Sequence, residues 1–102
     1  NRVDINKSST DGATPLYIAS QNGYLDIVEL LIKNGADINK STNNSGVAPL
    51  YIASQNGYLD IVELLIKNGV DINKSTNNNL LPLHGAIYGG YLEIVSLLLT
   101  SG

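Results

Sequence analysis

Apolar residues fall along this chain in two alternating blocks. A short one, Leu16, Ile18 and Ala19, stops at Gly23, and a longer one follows with Leu25, Ile27, Val28, Leu30, Leu31 and Ile32. The longer block makes a wide stripe at helical spacing. Beyond Gly35 the pattern dissolves, and Ala36–Ala48 is rich in Asn, Ser and Gly with no helical period. Such residues favour turns because they hydrogen-bond locally and tolerate positive φ. The whole pattern then returns. Pro15–Gly35 is repeated letter for letter at Pro49–Gly69, and a worn copy occupies Pro82–Gly102.

The three prolines stand 34 and 33 residues apart (49 − 15 and 82 − 49), a period that signals a stacked repeat array. Proline suits the first position of a helix because its φ is preset and its missing N–H would be unpaired there anyway. Thr14 precedes it as a natural N-cap, and Gly23 supplies the left-handed residue that closes a helix. The second segment, Leu25–Asn34, carries Asp26 in its first turn and Lys33 in its last, both favourable to the helix dipole. Glu29 and Lys33 share the better i, i+4 orientation, and Gly35 ends the segment. Each unit is therefore predicted as helix, tight turn, helix, then a polar stretch carrying Asp-Ile-Asn and a projecting hairpin-like loop. Helices shorter than about 12–15 residues are marginal alone. These units need neighbours on both sides.

The run Gly12-Ala13-Thr14-Pro15-Leu16-Tyr17-Ile18-Ala19, then Gly23, Ile27-Val28, Leu30-Leu31 and Gly35-Ala36-Asp37-Ile38-Asn39, resembles the ankyrin repeat. The resemblance covers essentially the whole chain, in spacing as well as in letters. It implies an all-α repeat fold, an ankyrin solenoid of stacked helix-turn-helix units joined by hairpin-like loops. Two departures stand out. Tyr17 and Tyr51 replace the family's usual His, which only His84 keeps, and Gly-Tyr replaces Gly-His at 23–24, 57–58 and 90–91.

Residues 1–10 read as the tail of a preceding repeat, 11–44 as repeat 1, 45–77 as repeat 2 and 78–102 as a truncated repeat 3, all in one domain. Asn1–Asn6 aligns with Asn34–Asn39, with Arg2 where the helix-ending Gly would be, and Gly102 falls where Gly35 and Gly69 do. Both ends cut at repeat phase, which reads as a piece of a longer array. The middle loop is one residue longer than the first and keeps Gly46, but Ala48 replaces the capping Thr. In the third loop Asn79 takes the glycine position, and Asn is the next-best residue for a left-handed conformation. Leu81 replaces the capping Thr, a loss of about 1 kcal/mol, and Gly85 inside the helix is worth about another 1 kcal/mol against it. The third copy reads as the weakest. Leu92, Ile94, Val95 and Leu97–Leu99 give it no polar outer face, so an apolar side is expected to lie bare after Gly102.

Charge and composition narrow the partners. The net charge is −3 and the few Lys and Arg are scattered, which argues against nucleic acid and anionic membranes. No stretch approaches a membrane span, and cysteine is absent, which removes disulfides and thiolate metal sites and makes an intracellular, cytoplasmic setting the default. His84 is the only histidine, so neither a histidine metal cluster nor a catalytic triad can be built; it reads as a structural residue at a helix start. Asp4, Asp37 and Asp71 recur in the same Asp-Ile-Asn context, which points to three turns rather than one acid–base site. Gly89-Gly90 lacks the flanks of a phosphate loop. The four Asn-X-Ser matches, at Asn6, Asn39, Asn43 and Asn73, are expected by chance in so Asn-rich a chain. Asn39 and Asn73 resemble positions that asparaginyl hydroxylases modify in some ankyrin arrays, although a structural role is the stronger reading.

No catalysis and no cofactor are expected. The resemblance implies a protein-binding groove lined by loop tips and first helices. Carried over by position, the tips are Thr10, Asp11 and Ala13, then Asn44, Ser45 and Val47, then Asn77, Asn78 and Leu80. The first-helix positions are Gln21, Asn22, Gln55, Asn56 and Tyr88, the last an aromatic of the kind favoured as an interface anchor. Two readings stand. One is a non-catalytic protein–protein interaction module. The other, suggested by surface positions identical between the first two copies, is a structural spacer or self-assembling scaffold segment that associates through its uncapped C-terminal repeat.

Overall fold

The computed structural model describes residues 3–102; the reading placed on Asn1 and Arg2 lies outside the described residues. Each Pro opens a helix. They run α1 (Pro15–Asn22), α2 (Leu25–Lys33), α3 (Pro49–Asn56), α4 (Leu59–Lys67), α5 (Pro82–Gly89) and α6 (Leu92–Ser101), with no strand among the described residues. The Thr14 hydroxyl accepts the Tyr17 N–H at 3.1 Å and caps α1. Gly23, Gly57 and Gly90 close α1, α3 and α5 at φ of 78°, 83° and 77°. Ala48 and Leu81 offer no capping oxygen, but His84 Nδ1 accepts the Leu81 N–H at 2.8 Å. That bond returns to α5 part of what the missing threonine removes.

The first helices pack side by side in one layer and the second helices in another, giving an array 43 × 26 × 21 Å. The core lies between the layers, where Leu16, Val28, Leu50, Ile61, Val62, Leu65, Ile94 and Leu98 are buried. Ile94 and Leu98 therefore face inward, and the bare C-terminal side is narrower than the sequence suggests: of the α6 apolar residues, Leu92 and Leu99 are exposed while Val95 and Leu97 are half-buried.

Gly85 has a packing role that propensity alone misses. A Cβ there would lie 3.3 Å from the Tyr51 carbonyl oxygen, and one at Gly89, a turn later, 2.8 Å from that of Gln55. The two glycines let α5 settle on the backbone of α3. The helix-propensity penalty of Gly85, about 1 kcal/mol, therefore accompanies a close backbone approach that a larger residue would crowd.

The Gly-Tyr departures also find their cause. A Cβ on Gly23 would meet the Tyr58 ring at 2.6 Å, and one on Gly57 would meet the Tyr91 ring at 2.4 Å. Each later tyrosine lies directly over the glycine of the preceding turn. On the opposite edge, Asp4, Asp37 and Asp71 each accept the N–H two residues on, at 3.0–3.1 Å. The Asn6 and Asn39 side-chain oxygens then accept the Asp37 and Asp71 N–H at 2.7 and 2.8 Å. The Asp-Ile-Asn turns thus form a ladder along the array.

Candidate protein-binding surface

Three loops project beside the first helices. The outer two close with a three-residue step, Gly12 N–H to Ser9 and Asn79 N–H to Thr76, while the middle loop takes its extra residue into a wider step, Gly46 N–H to Thr42. Gly12, Gly46 and Asn79 all have positive φ, Asn79 at 63°. Neighbouring tips touch: Asn43 N–H donates to the Asp11 carbonyl at 3.3 Å, and Asn77 N–H to that of Ser45 at 2.9 Å. Glycine is needed where this happens, because a Cβ at Gly12 would sit 2.2 Å from the Asn43 nitrogen.

Between the first two tips and α1 lies a depression of about 340 Å³. It brings together six of the residues read from the sequence, namely Asp11, Ala13, Gln21, Asn44, Ser45 and Val47, with Ser9, Tyr17, Ile18 and Thr42 added. Ala13 corrects the sequence reading in part, since it is buried and supplies floor rather than tip. The Asp11 carboxylate is held below the usual carboxylate range, first by the Ser9 hydroxyl donating to it and then by the Ala13 N–H. Among the described residues it is the one ionised side chain lining the depression at neutral pH. The Tyr17 phenol is raised, first by burial and then by the Asp11 charge, so it stays a neutral donor.

The remaining positions lie outside this depression. Thr10, Gln55 and Asn78 are exposed and Leu80 is half-buried. Asn22 donates its amide to the Ile18 carbonyl, Asn56 to that of Gln21 and Asn77 to that of Asn44, at 2.8–3.1 Å. Those three amides tie the scaffold. Tyr88 is 66% exposed and lies near Tyr51, whose phenol is raised by burial and then by Tyr88. Asn39 is half-buried and engaged in the turn ladder. Among the described residues no group of three His, Cys, Asp or Glu could hold a metal, and no helix is long and apolar enough to cross a membrane.

In sequence Ile18 belongs to the apolar block and Tyr17 is a departure from the family pattern, so neither points to the groove. Tyrosine in place of the usual His was the available signal for Tyr17. Ile18 and Ile52 lie in the same repeated stretch, Pro15–Gly35 and Pro49–Gly69, yet Ile18 is 45% exposed and Ile52 only 8%.

The family described as Ankyrin repeats (3 copies) matches residues 1–76 and 39–102. Alpha-latrocrustotoxin-Lt1a from Latrodectus tredecimguttatus is 38% identical over 39 residues, 38% of this chain and 3% of that protein. Delta-latroinsectotoxin-Lt1a from the same organism is 42% identical over 43 residues, 42% of this chain and 4% of that protein. The chain thus spans a small fraction of the length of these curated relatives. Stacked helix pairs, glycine-closed turns and the family match together place this chain in the ankyrin repeat family, whose repeats generally serve as protein–protein interaction modules.

Proposed function

We propose that this chain is a non-catalytic binding module that holds an extended stretch of another protein against the first two loop tips and α1, in an intracellular setting. The depression with Asp11 at its edge carries this reading. Its walls offer hydroxyl and amide groups from Ser9, Thr42, Asn44, Ser45 and Gln21, its apolar area comes from Ile18 and Val47, and its single fixed charge is negative. A partner segment with a Lys or Arg beside an aliphatic residue suits that lining, since a charge-assisted hydrogen bond to a carboxylate is roughly twice as strong as a neutral one.

The test uses two baits on source-cell lysate, the unaltered chain and a Gln21→Arg, Ser45→Arg variant, both positions being exposed. A protein retained by the first and lost by the second is then purified and titrated by calorimetry. Direct binding that weakens with Asp11→Asn supports the reading. Identical captures from both baits overturn it.

A second reading is favoured by the apolar ends. Tyr24, Ile27 and Leu30 are exposed at one end of the array, and Ile87, Leu92 and Leu99 at the other. On this reading the chain is a scaffold segment that associates with itself. A monomer across a concentration series in sedimentation removes it.

A further inference from the structure

Glycine follows asparagine four times, at Asn22-Gly23, Asn34-Gly35, Asn56-Gly57 and Asn68-Gly69. Asparagine is a thermolabile residue, and glycine after it exposes it most. With no Cβ as a shield, the glycine nitrogen can reach the asparagine Cγ and close a five-membered ring. The fold divides the four pairs into two classes. Asn22 and Asn56 end first helices, and the Tyr58 and Tyr91 rings lie over Gly23 and Gly57. Asn34 and Asn68 cap second helices. Among the described residues, nothing lies within 4 Å of where a Cβ on Gly35 or Gly69 would be.

Asn56 and Asn68 both belong to the middle helix pair, which has another pair on each side. At a ψ of 16° for Asn68, the Gly69 nitrogen eclipses the Asn68 nitrogen rather than its Cβ, so the turn must open before the ring can close. Asn68 is exposed, and its bonds stay within its own helix. Its amide donates to the Leu64 carbonyl at 2.8 Å, and the Gly69 N–H to that of Ile66 at 3.1 Å. Fraying of that one turn frees both, and helix ends open at little cost. Asn56 is half-buried, and its amide reaches out of its helix to the Gln21 carbonyl at 3.0 Å. Opening there breaks this tie to the first helix pair and displaces Gly57 from beneath the Tyr91 ring.

We propose that Asn68 is a site of spontaneous deamidation in the folded chain, with water as the only co-reactant, and that Asn56 is protected by the Tyr91 ring and the tie to Gln21. The Gly69 nitrogen gives up its proton, and its electron pair forms a bond to Asn68 Cγ. The Cγ–Nδ2 bond breaks, and the amide nitrogen takes up a proton and leaves as ammonia. One water then opens the succinimide, at Cγ to give aspartate or at the main-chain carbonyl to give isoaspartate. Nothing is oxidised or reduced. Each event adds one negative charge to a net charge of −3. At position 68 that charge enters a cleft of about 240 Å³ between α2 and α4, which also holds Lys33, Lys67 and Glu29. The end of a helix disfavours an anion, whereas the two ammonium groups favour it. The change leaves the residues around the Asp11 depression untouched.

Peptide mass spectrometry tests this. Purified chain is held in mildly alkaline buffer, folded or unfolded in urea, and digested with trypsin over a time course, with unincubated chain as the background. Cleavage after lysine places the four pairs in four different peptides; Ala36 and Val70 distinguish those that carry Asn34 and Asn68, and fragment spectra locate the mass gain. The protection of a site is its rate in urea divided by its rate in the folded chain. Asn56 is expected to be protected at least about tenfold more than Asn68, because its opening breaks tertiary contacts as well as a helix turn. Tyr91→Ala should accelerate Asn56 and leave Asn68 unchanged. The urea comparison needs no variant, so it decides the matter even where Tyr91→Ala fails to fold. Equal protection at the two sites overturns the proposal, as does an Asn68 that stays intact in the folded chain while the unfolded chain reacts. A folded Tyr91→Ala chain in which Asn56 remains protected overturns the role of the ring.

Discussion

Replacing Gly57 and Gly90 with Ala separates two quantities that usually come together. Both glycines close a first helix, with φ of 83° and 77°. The backbone strain of an alanine in that left-handed conformation is therefore the same at each, about 1–2 kcal/mol. They differ only in what lies above them. A Cβ on Gly57 would meet the Tyr91 ring at 2.4–2.9 Å, whereas one on Gly90 meets nothing within 4 Å. Forcing an extra methyl under a packed ring adds about 1–3 kcal/mol. Gly90→Ala is thus expected to lose about 1–2 kcal/mol and Gly57→Ala about 2–5 kcal/mol. At 4–8 °C per kcal/mol for a domain of this size, the two Tm values should lie roughly 5–20 °C apart. Urea unfolding followed by far-UV circular dichroism, at protein concentrations where the chain is monomeric, measures both. A Gly57→Ala, Tyr91→Ala double variant completes the cycle, because removing the ring should cancel the steric part and leave a coupling of about 1–3 kcal/mol. Equal losses at Gly57 and Gly90, or no coupling to Tyr91, would refute the assignment of Tyr91 as the lid on that turn.

Other consequences follow from single residues. Ala48→Thr should gain about 1 kcal/mol in urea unfolding, because Thr14 occupies the same place, with the same extended backbone, ahead of an identical helix. The Ser54 hydroxyl is buried without a hydrogen-bond partner, so Ser54→Ala should stabilise by about 1 kcal/mol; a destabilised variant would mean that the hydroxyl is engaged. Burial, and then the neighbouring Tyr88, raises the Tyr51 phenol, so the folded chain holds that proton more tightly than the unfolded one. Its contribution is complete below about pH 10 and is lost as pH rises through the folded value. Tyr51→Phe should flatten that alkaline decline, as read from urea midpoints between neutral pH and pH 11.

Much of this molecule is legible in its sequence because each signal is local. Proline at the start, glycine at the turn and an apolar stripe between them fix three helix pairs, since φ restriction, left-handed tolerance and helical spacing act over a few residues. The period then requires stacking, because helices this short cannot persist alone. The site was legible only in part. Asp11, Gln21, Asn44, Ser45 and Val47, chosen by position within the repeat, line one depression, but position could not tell a free amide from one used as a tie, as at Asn22, Asn56 and Asn77. That distinction depends on carbonyls brought close by folding.

Identical letters also acquired different fates. Ile18 and Ile52, or Ile27 and Ile61, cannot be distinguished by sequence, yet one of each pair is substantially exposed and the other buried. Gly85 read locally as a defect, and only the approach of α5 to the α3 backbone gave it a purpose. The sequence by itself determined the unit and its repetition, through short-range backbone and hydrophobic preferences. Tertiary structure decided which copies of a residue are covered, because burial depends on the helix pair that packs against each one.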